Sequence, residues 1–280
     1  MDYKTIVVHL DAQPRRIASL EIALRLAAQS GSHLVGLFAI NAIPMPRYAG
    51  AEWSSALVEA GEQQLNAART EARAAFETTL RQYPEVSSEW REDSAGPLDA
   101  VMLSARYADL VVAGQHDPDA KIDSRVTARF EEELILKMSK PLLMVPYIGQ
   151  FDTLGERVLL AWDASPQAMR AVTGALPLLK RAKKVQVTVF DARIGQDAHG
   201  EEPGADITLF LARHGVNATV SRQGSLVGDV GSAILSRAAD LSADLIVMGA
   251  YGHSRTKERL LGGATRTIFD SMTVPVLMCH

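Results

Sequence analysis

The chain has 280 residues, 47% of them apolar and 22% charged, with a formal charge of −4 and a single cysteine. This is globular composition at a length comfortable for two domains, and the acidic balance argues against a nucleic-acid binder driven by general electrostatics. Cys279 alone excludes an internal disulfide. No basic leader precedes the first strand, and no apolar run approaches the ~18 residues of a membrane helix, so the expected setting is the cytoplasm, with no membrane partner.

In chain order, residues 6–10 form an apolar run closed by Asp11, which reads as a buried strand with a carboxylate at its end. Residues 16–29 place Ile17, Leu20, Leu24 and Ala27 at helical spacing, and 34–40 reads as a second buried strand. Across 41–61, Pro44, Pro46, Gly50 and Trp53 interrupt any regular period, which predicts a loop. A long charged helix follows over 60–81, then a polar strand over 86–92 and a helix over 98–107. A strand ending in Gly114 and a Pro141-entered strand over 140–145 complete this part, and 147–156, with Gly149 and Gly155, reads as a linker. The second part repeats the course: strand 158–162 closed by Asp163, helix 165–181, strand 185–191, loop 195–204, helix 205–214, strand 218–223 and helix 229–241. It ends with a strand running into Gly249, a glycine-rich stretch, a helix, and a strand over 274–279 entered through Pro275.

Three landmarks therefore recur in order: the strand-end Asp, the Ala-Asp-Leu strand that ends in glycine, and the Pro-entered last strand. The first repeats after 152 residues (Asp11 to Asp163) and the second after 135 (Asp109 to Asp244), so the first half carries 17 extra residues, assigned to 41–61. Self-similarity at this length defines two tandem domains, 1–147 and 156–280. Apolar strands alternating with amphipathic helices imply parallel pairing with helices on both faces. Each half is expected to be a Rossmann-like, five-strand doubly wound α/β domain, with its ligand beyond the carboxyl ends of the strands.

The second glycine stretch reads Gly249-x2-Gly252-x9-Gly262-Gly263-x-Thr265. Gly249 would let the chain turn with positive φ or let a ligand lie on bare backbone, and Gly252 extends that freedom. Gly262 and Gly263 open a helix whose first N–H groups lack internal partners, so an anion there meets free donors and the positive end of the helix dipole. Thr265 would add a hydroxyl donor. Between Gly249 and Gly262, Arg255, Lys257 and Arg259 stand against Glu258, a balance of +2; between Gly114 and Thr127, Lys121 and Arg125 stand against Asp117, Asp119 and Asp123, a balance of −1. A polyphosphate should settle in the second half and be repelled from the first.

The strand-end Asp, the spaced glycine loop and the Pro-entered last strand together resemble the universal stress protein family in its tandem form, over nearly the whole chain. That resemblance implies two domains of the adenine nucleotide alpha hydrolase-like fold and a stress-response regulatory protein that binds ATP or AMP, with Mg²⁺ as a companion ion. By the same likeness Asp163 would meet ribose and adenine, and Val189 would line the adenine pocket. Met248 and Gly249 would close over the nucleotide, while Gly252, Gly262, Gly263 and Thr265 would hold phosphates. Gly263 departs from the family's Ser or Thr after the third glycine, and Trp162 is bulky for a place beside the base: it either stacks on adenine or fills the core. The last strands, 142–145 and 276–279, are expected to pair within the chain, with a homodimer as a further option.

No catalytic set stands out. The seven histidines (His9, His33, His116, His199, His214, His253 and His280) lack metal spacing, and Ser165 and Ser254 lack a recognisable base. The pair Cys279 and His280 is too small for a closed metal site. Besides the nucleotide sensor, two readings stay open: an interaction scaffold whose loop is a relic, and a slow ATPase in which His253 positions water. The enlarged first half could also take a different small molecule through Pro44, Met45, Tyr48 and Trp53.

Overall fold

The computed structural model describes residues 2–13, 16–41, 51–93, 96–117, 129–190, 203–224, 229–251 and 263–280, with the backbone alone for 51–58. The chain separates by packing into two compact units, Tyr3–Phe130 and Glu131–His280. The second unit includes a helix and a strand that lie before the linker read from the sequence.

The first unit holds β1 (Thr5–Leu10), α1 (Arg16–Ser30), β2 (His33–Ala39), α2 (Ala51–Leu80), β3 (Ser88–Asp93), α3 (Pro97–Ala105) and β4 (Leu110–Gly114). All pairs are parallel, in the order β3-β2-β1-β4. Leu20, Leu24, Leu34, Leu37 and Leu110 are fully buried. Against the expected loop over 41–61, the helix α2 already begins at Ala51. The Ala- and Glu-rich run after Gly50 has strong helix propensity, which Trp53 does not interrupt. Pro44, Met45, Pro46 and Tyr48 lie outside the described residues. Phe76 of α2 lies over Gly36 of β2, where a Cβ would come 2.5 Å from the ring.

The second unit takes in α4 (Phe130–Lys137) from Glu131 onward and β5 (Leu142–Val145). It continues with β6 (Arg157–Trp162), α5 (Pro166–Leu179), β7 (Lys184–Phe190), α6 (Ala205–Arg213), β8 (Ala218–Gln223), α7 (Val230–Asp240), β9 (Leu245–Gly249), α8 (Gly263–Ser271) and β10 (Val276–Cys279). Strands β10-β9-β6-β7-β8 are parallel neighbours. The expected pairing of the two Pro-entered strands is present: β10 meets β5 antiparallel, Val276 opposite Met144 and Met278 opposite Leu142. Both strands are completely buried, which shields what would otherwise be an exposed apolar edge of β10.

Each half of the sequence thus supplies five strands, and the sheet is dominated by parallel pairs. In each half of the sequence the first strand, β1 or β6, lies between the second and the fourth. The chain leaves β1 toward β2 and returns to β4, and leaves β6 toward β7 and returns to β9. These two reversals are the switch points at which side chains and backbone can surround a ligand.

Candidate functional site

At the β6–β9 switch point the geometry starts from one carboxylate. Asp163 follows β6 directly, and its Oδ1 accepts the N–H of Ser165 at 2.9 Å. Ala164, between them, is held at φ 59°, a left-handed conformation that the Asp turn makes tolerable. Ser165 then caps α5: its Oγ accepts the N–H of Ala168 at 3.1 Å, and Pro166 occupies the first turn, where a missing N–H is harmless.

The end of β9 lies against this cap. A Cβ on Gly249 would sit 2.6 Å from the nitrogen of Ala168 and 3.0 Å from the carbonyl carbon of Gln167. Its φ is outside the left-handed region. The positive-φ turn expected there is therefore not at this glycine, and the close approach of α5 by itself excludes a side chain. The left-handed turn comes two residues later, at Tyr251, with φ 55°. Its N–H donates to Oγ1 of Thr265 at 3.3 Å. Thr265 is buried, so its hydroxyl ties α8 to the loop after β9. Behind the loop, Ala250 donates to the carbonyl of Cys279 at 2.8 Å, and His280 Nδ1 donates to the carbonyl of Ala250 at 3.2 Å. Burial pushes the Tyr251 phenol up to about 12, with the charge of Glu132 adding to the shift and Arg266 opposing it. Burial likewise lifts the Cys279 thiol to about 12, with Arg170 opposing, so the lone cysteine is an inert core side chain.

Gly263 opens α8. Facing it is Asp229, the cap of α7, whose Oδ2 accepts the N–H of Ser232 at 3.0 Å. A Cβ on Gly263 would lie 3.4 Å from Oδ1 of Asp229. At Gly231, α7 and α8 touch so closely that a Cβ would stand 2.7 Å from the carbonyl oxygen of Ala264. Burial works to raise the pKa of Asp229, but hydrogen bonds from Thr267, Ser232 and Gly231 outweigh it and hold the carboxyl below its ordinary value. A fixed negative charge therefore stands beside the α8 N-terminus. Nothing in the sequence reading singled it out, although an Asp three residues before Ser232 is a recognisable cap signal.

Of the other residues named from the sequence, Val189 is wholly buried at the end of β7, opposite the half-buried Trp162. Met248 is buried in β9 beside Ala161. Gly252, Gly262, His253, Arg255, Lys257 and Arg259 lie outside the described residues. Asp163, Gly249, Gly263 and Thr265 are linked by the chain of contacts just traced. Among the described residues no three His, Cys, Asp or Glu side chains gather as metal ligands.

The β1–β4 switch point begins identically and then diverges. Asp11 Oδ1 accepts the N–H of Gln13 at 2.8 Å, the same turn as at Asp163. Gln13 stands where the other half has Ser165, and it reaches across the crevice instead of capping a helix. Its Nε2 meets His116 Nδ1 at 3.1 Å, and its Oε1 accepts the N–H of Asp117 at 3.4 Å. Asp117 is the sequence counterpart of Gly252, so the backbone donor that would serve a phosphate here binds a side chain of the protein. Beneath this bridge His9 is buried, its Nε2 donating to the carbonyl of Ala39 at 2.9 Å and its ring 5.1 Å from that of Phe130. Burial holds its pKa below 6.5, against the opposing pull of Asp11 and the Ala39 carbonyl.

A carboxylate turn on one side of a parallel-sheet switch point, with a glycine-punctuated loop into a helix on the other, defines a doubly wound α/β protein with its ligand crevice at the strands' carboxyl ends. A sequence model of the universal stress protein family matches residues 2–146 and again residues 155–280. The chain belongs to that family, as a tandem member. It is 29% identical over 171 residues to Universal stress protein Slr1230 of Synechocystis sp., an alignment covering 60% of this chain and 57% of that protein. The chain thus spans a little over half the length of that relative. Among solved structures it is similar to a universal stress protein from Archaeoglobus fulgidus, with TM-score 0.68 and 18% identity over 98% of this chain and 95% of the other. A putative universal stress protein from Pseudomonas aeruginosa gives TM-score 0.57 at 18% identity, over 98% and 92%. At these identities the likeness establishes the fold. No described helix is long and apolar enough to cross a membrane.

Proposed function

We propose that this chain is a cytoplasmic stress-response regulatory protein that binds ATP, or AMP, at the β6–β9 switch point and nowhere in its first half. One observation carries the reading: Gln13 bridges the crevice of the first half, whereas its counterpart Ser165 turns back to cap α5 and sends no side chain across the second. In this reading Asp163 meets the ribose and the N–H groups at the start of α8, from Gly263 onward, meet phosphate oxygens. Gly252 and Gly262 supply the rest of the loop. Val189 and Met248 back the pocket as its apolar floor. Asp229 remains ionised at neutral pH, so a polyphosphate approaching α8 meets a full negative charge as well as the helix dipole of roughly half a charge. Mg²⁺ bound to the nucleotide offsets that repulsion, which is the physical reason to expect Mg-ATP as the ligand.

Calorimetric titration of the nucleotide-stripped protein with Mg-ATP tests this. One site per chain is expected, and Gly252→Val, which adds bulk where backbone meets ligand, should abolish it while leaving the fold intact. Absence of binding would overturn the reading in favour of a nucleotide-independent scaffold. Two sites per chain would overturn the assignment of a closed first half.

A further inference from the structure

The bridge across the first crevice dictates the charge state of one histidine. The N–H of Asp117 can only donate, and it meets Gln13 at 3.4 Å, so the Gln13 atom there is the amide oxygen. The amide nitrogen therefore faces His116, 3.1 Å from Nδ1. An amide nitrogen donates and accepts nothing, so Nδ1 must be the acceptor. The imidazole is then neutral, with its hydrogen on Nε2.

An imidazolium carries a hydrogen on both nitrogens. Once His116 is protonated, Nδ1–H and the Gln13 nitrogen are two donors with no acceptor between them. Turning the amide over does not relieve the conflict. The oxygen then accepts from His116, but the nitrogen confronts the N–H of Asp117. Either way a proton on His116 removes one of the two hydrogen bonds that span the crevice. Histidine is the side chain that changes charge in the physiological range, and His116 is half-buried, so water can deliver the proton.

The charged groups around the bridge do not forbid this. Asp11, in the turn after β1, accepts the N–H of Gln13, and Asp117 adjoins His116 in the chain; both favour an imidazolium. Arg16, at the start of α1, opposes one. Its guanidinium donates to the Gln13 carbonyl at 2.9 Å, but is partly neutralised by Glu71 of α2 at 3.5 Å. His9, on β1, is buried against Phe130, with Nε2 on the Ala39 carbonyl and burial resisting its charge. Arg129 precedes Phe130, and Glu131, Glu132 and Glu133 follow it as the first turn of α4.

We propose that Gln13, His116 and the Asp117 N–H form a proton-sensitive latch on the first crevice, closed while His116 is neutral and released when Nδ1 takes up a proton from water. By the offsets of the repeat, the matching positions of the second half hold Ser165 and Tyr251. The Tyr251 phenol, pushed up to about 12, does not titrate near neutrality. The latch is independent of the nucleotide reading, which concerns the other switch point.

Nitrogen relaxation of the Gln13 side-chain amide, measured on the intact chain at about pH 8 and about pH 5.5, tests this. In the wild type its order parameter should be near the rigid range, about 0.8, at the higher pH and fall below about 0.6 at the lower. The Gln186 amide, buried and bonded to the Thr219 carbonyl at 3.1 Å, is the internal control and should stay rigid. His116→Asn places an amide oxygen close to the position of Nδ1 and cannot take up the proton, so the response to pH should vanish. His9→Gln should respond as the wild type does, which separates the latch from the buried ring beneath it. A Gln13 amide equally ordered at both pH values in the wild type would overturn the latch. So would a response that survives in His116→Asn, or a loss of order shared by Gln186, which would assign the change to the fold at large.

Discussion

The two switch points of this chain start from the same turn and end in opposite conditions. Asp11 and Asp163 hold the second following N–H at 2.8 and 2.9 Å, and a strand ending in glycine lies beside each. After that turn, Gln13 spends its side chain on the loop following β4, while Ser165 spends its own on the first turn of α5. The paired glycines differ too. Among the described residues a Cβ on Gly114 would meet the Ser19 hydroxyl at 3.3 Å, but on Gly249 it would meet helix backbone at 2.6 Å. A duplicated fold keeps its turn because the turn launches the helix. The crevice is free to change, since only a ligand depends on it. Gln13 bridges the first crevice without any new element, by a side chain long enough to cross it.

The largest expected effect bears on the glycines. Gly249→Ala should cost about 3 kcal/mol in urea unfolding and Gly114→Ala less than about 1 kcal/mol, because backbone cannot yield where a hydroxyl can rotate. Equal costs would break the distinction between the two strand ends. Next is His9, which has no counterpart in the second half, where Ala161 stands. Its folded pKa is depressed, so the unfolded chain takes up the proton first as pH falls. Stability of the first unit should be level above pH 6.5 and decline below it, by at most ~1.4 kcal/mol per pH unit. His9→Gln keeps a donor for the Ala39 carbonyl and should flatten this slope in melts between pH 7 and pH 5; an unaltered slope would assign the decline to other groups. The smallest effects concern the residues after the turn. Ser165→Ala should cost about 1 kcal/mol as a lost cap. Gln13→Ala should cost a similar ~1 kcal/mol as lost hydrogen bonds while leaving the Mg-ATP stoichiometry at one. A second titratable site appearing in Gln13→Ala would show that the bridge alone keeps nucleotide out of the first half.

Much of the fold is legible in the sequence. The strand 218–223 was read to the residue, and the 16–29 helix to within one. The duplication, the paired Pro-entered strands and the strand-end carboxylates were all visible because each is a local pattern of apolar period, proline or glycine. The helix α2 begins at Ala51, nine residues before the sequence pattern predicts, because the prolines at 44 and 46 do not restrict residues that follow them by five or more. Gly249 does not make the positive-φ turn expected of it, and nothing local reveals that Ala168 in the first turn of α5, 81 residues earlier in the chain, comes so close. Gln13 carries no motif, since its partners come from the loop after β4, and the cap signal of Asp229 does not reveal that its carboxylate stands beside the start of α8.

Taken by itself, then, the sequence determined two tandem doubly wound α/β halves and which half carries the spaced glycines. Periodicity and turn chemistry are set by neighbours in the chain, so a linear text can hold them. Tertiary structure decided that Gln13 bridges the first crevice while Ser165 caps α5, why Gly249 tolerates no side chain, and that a fixed carboxylate stands beside the start of α8. Those are contacts between residues tens of positions apart, made only when the strands are laid side by side.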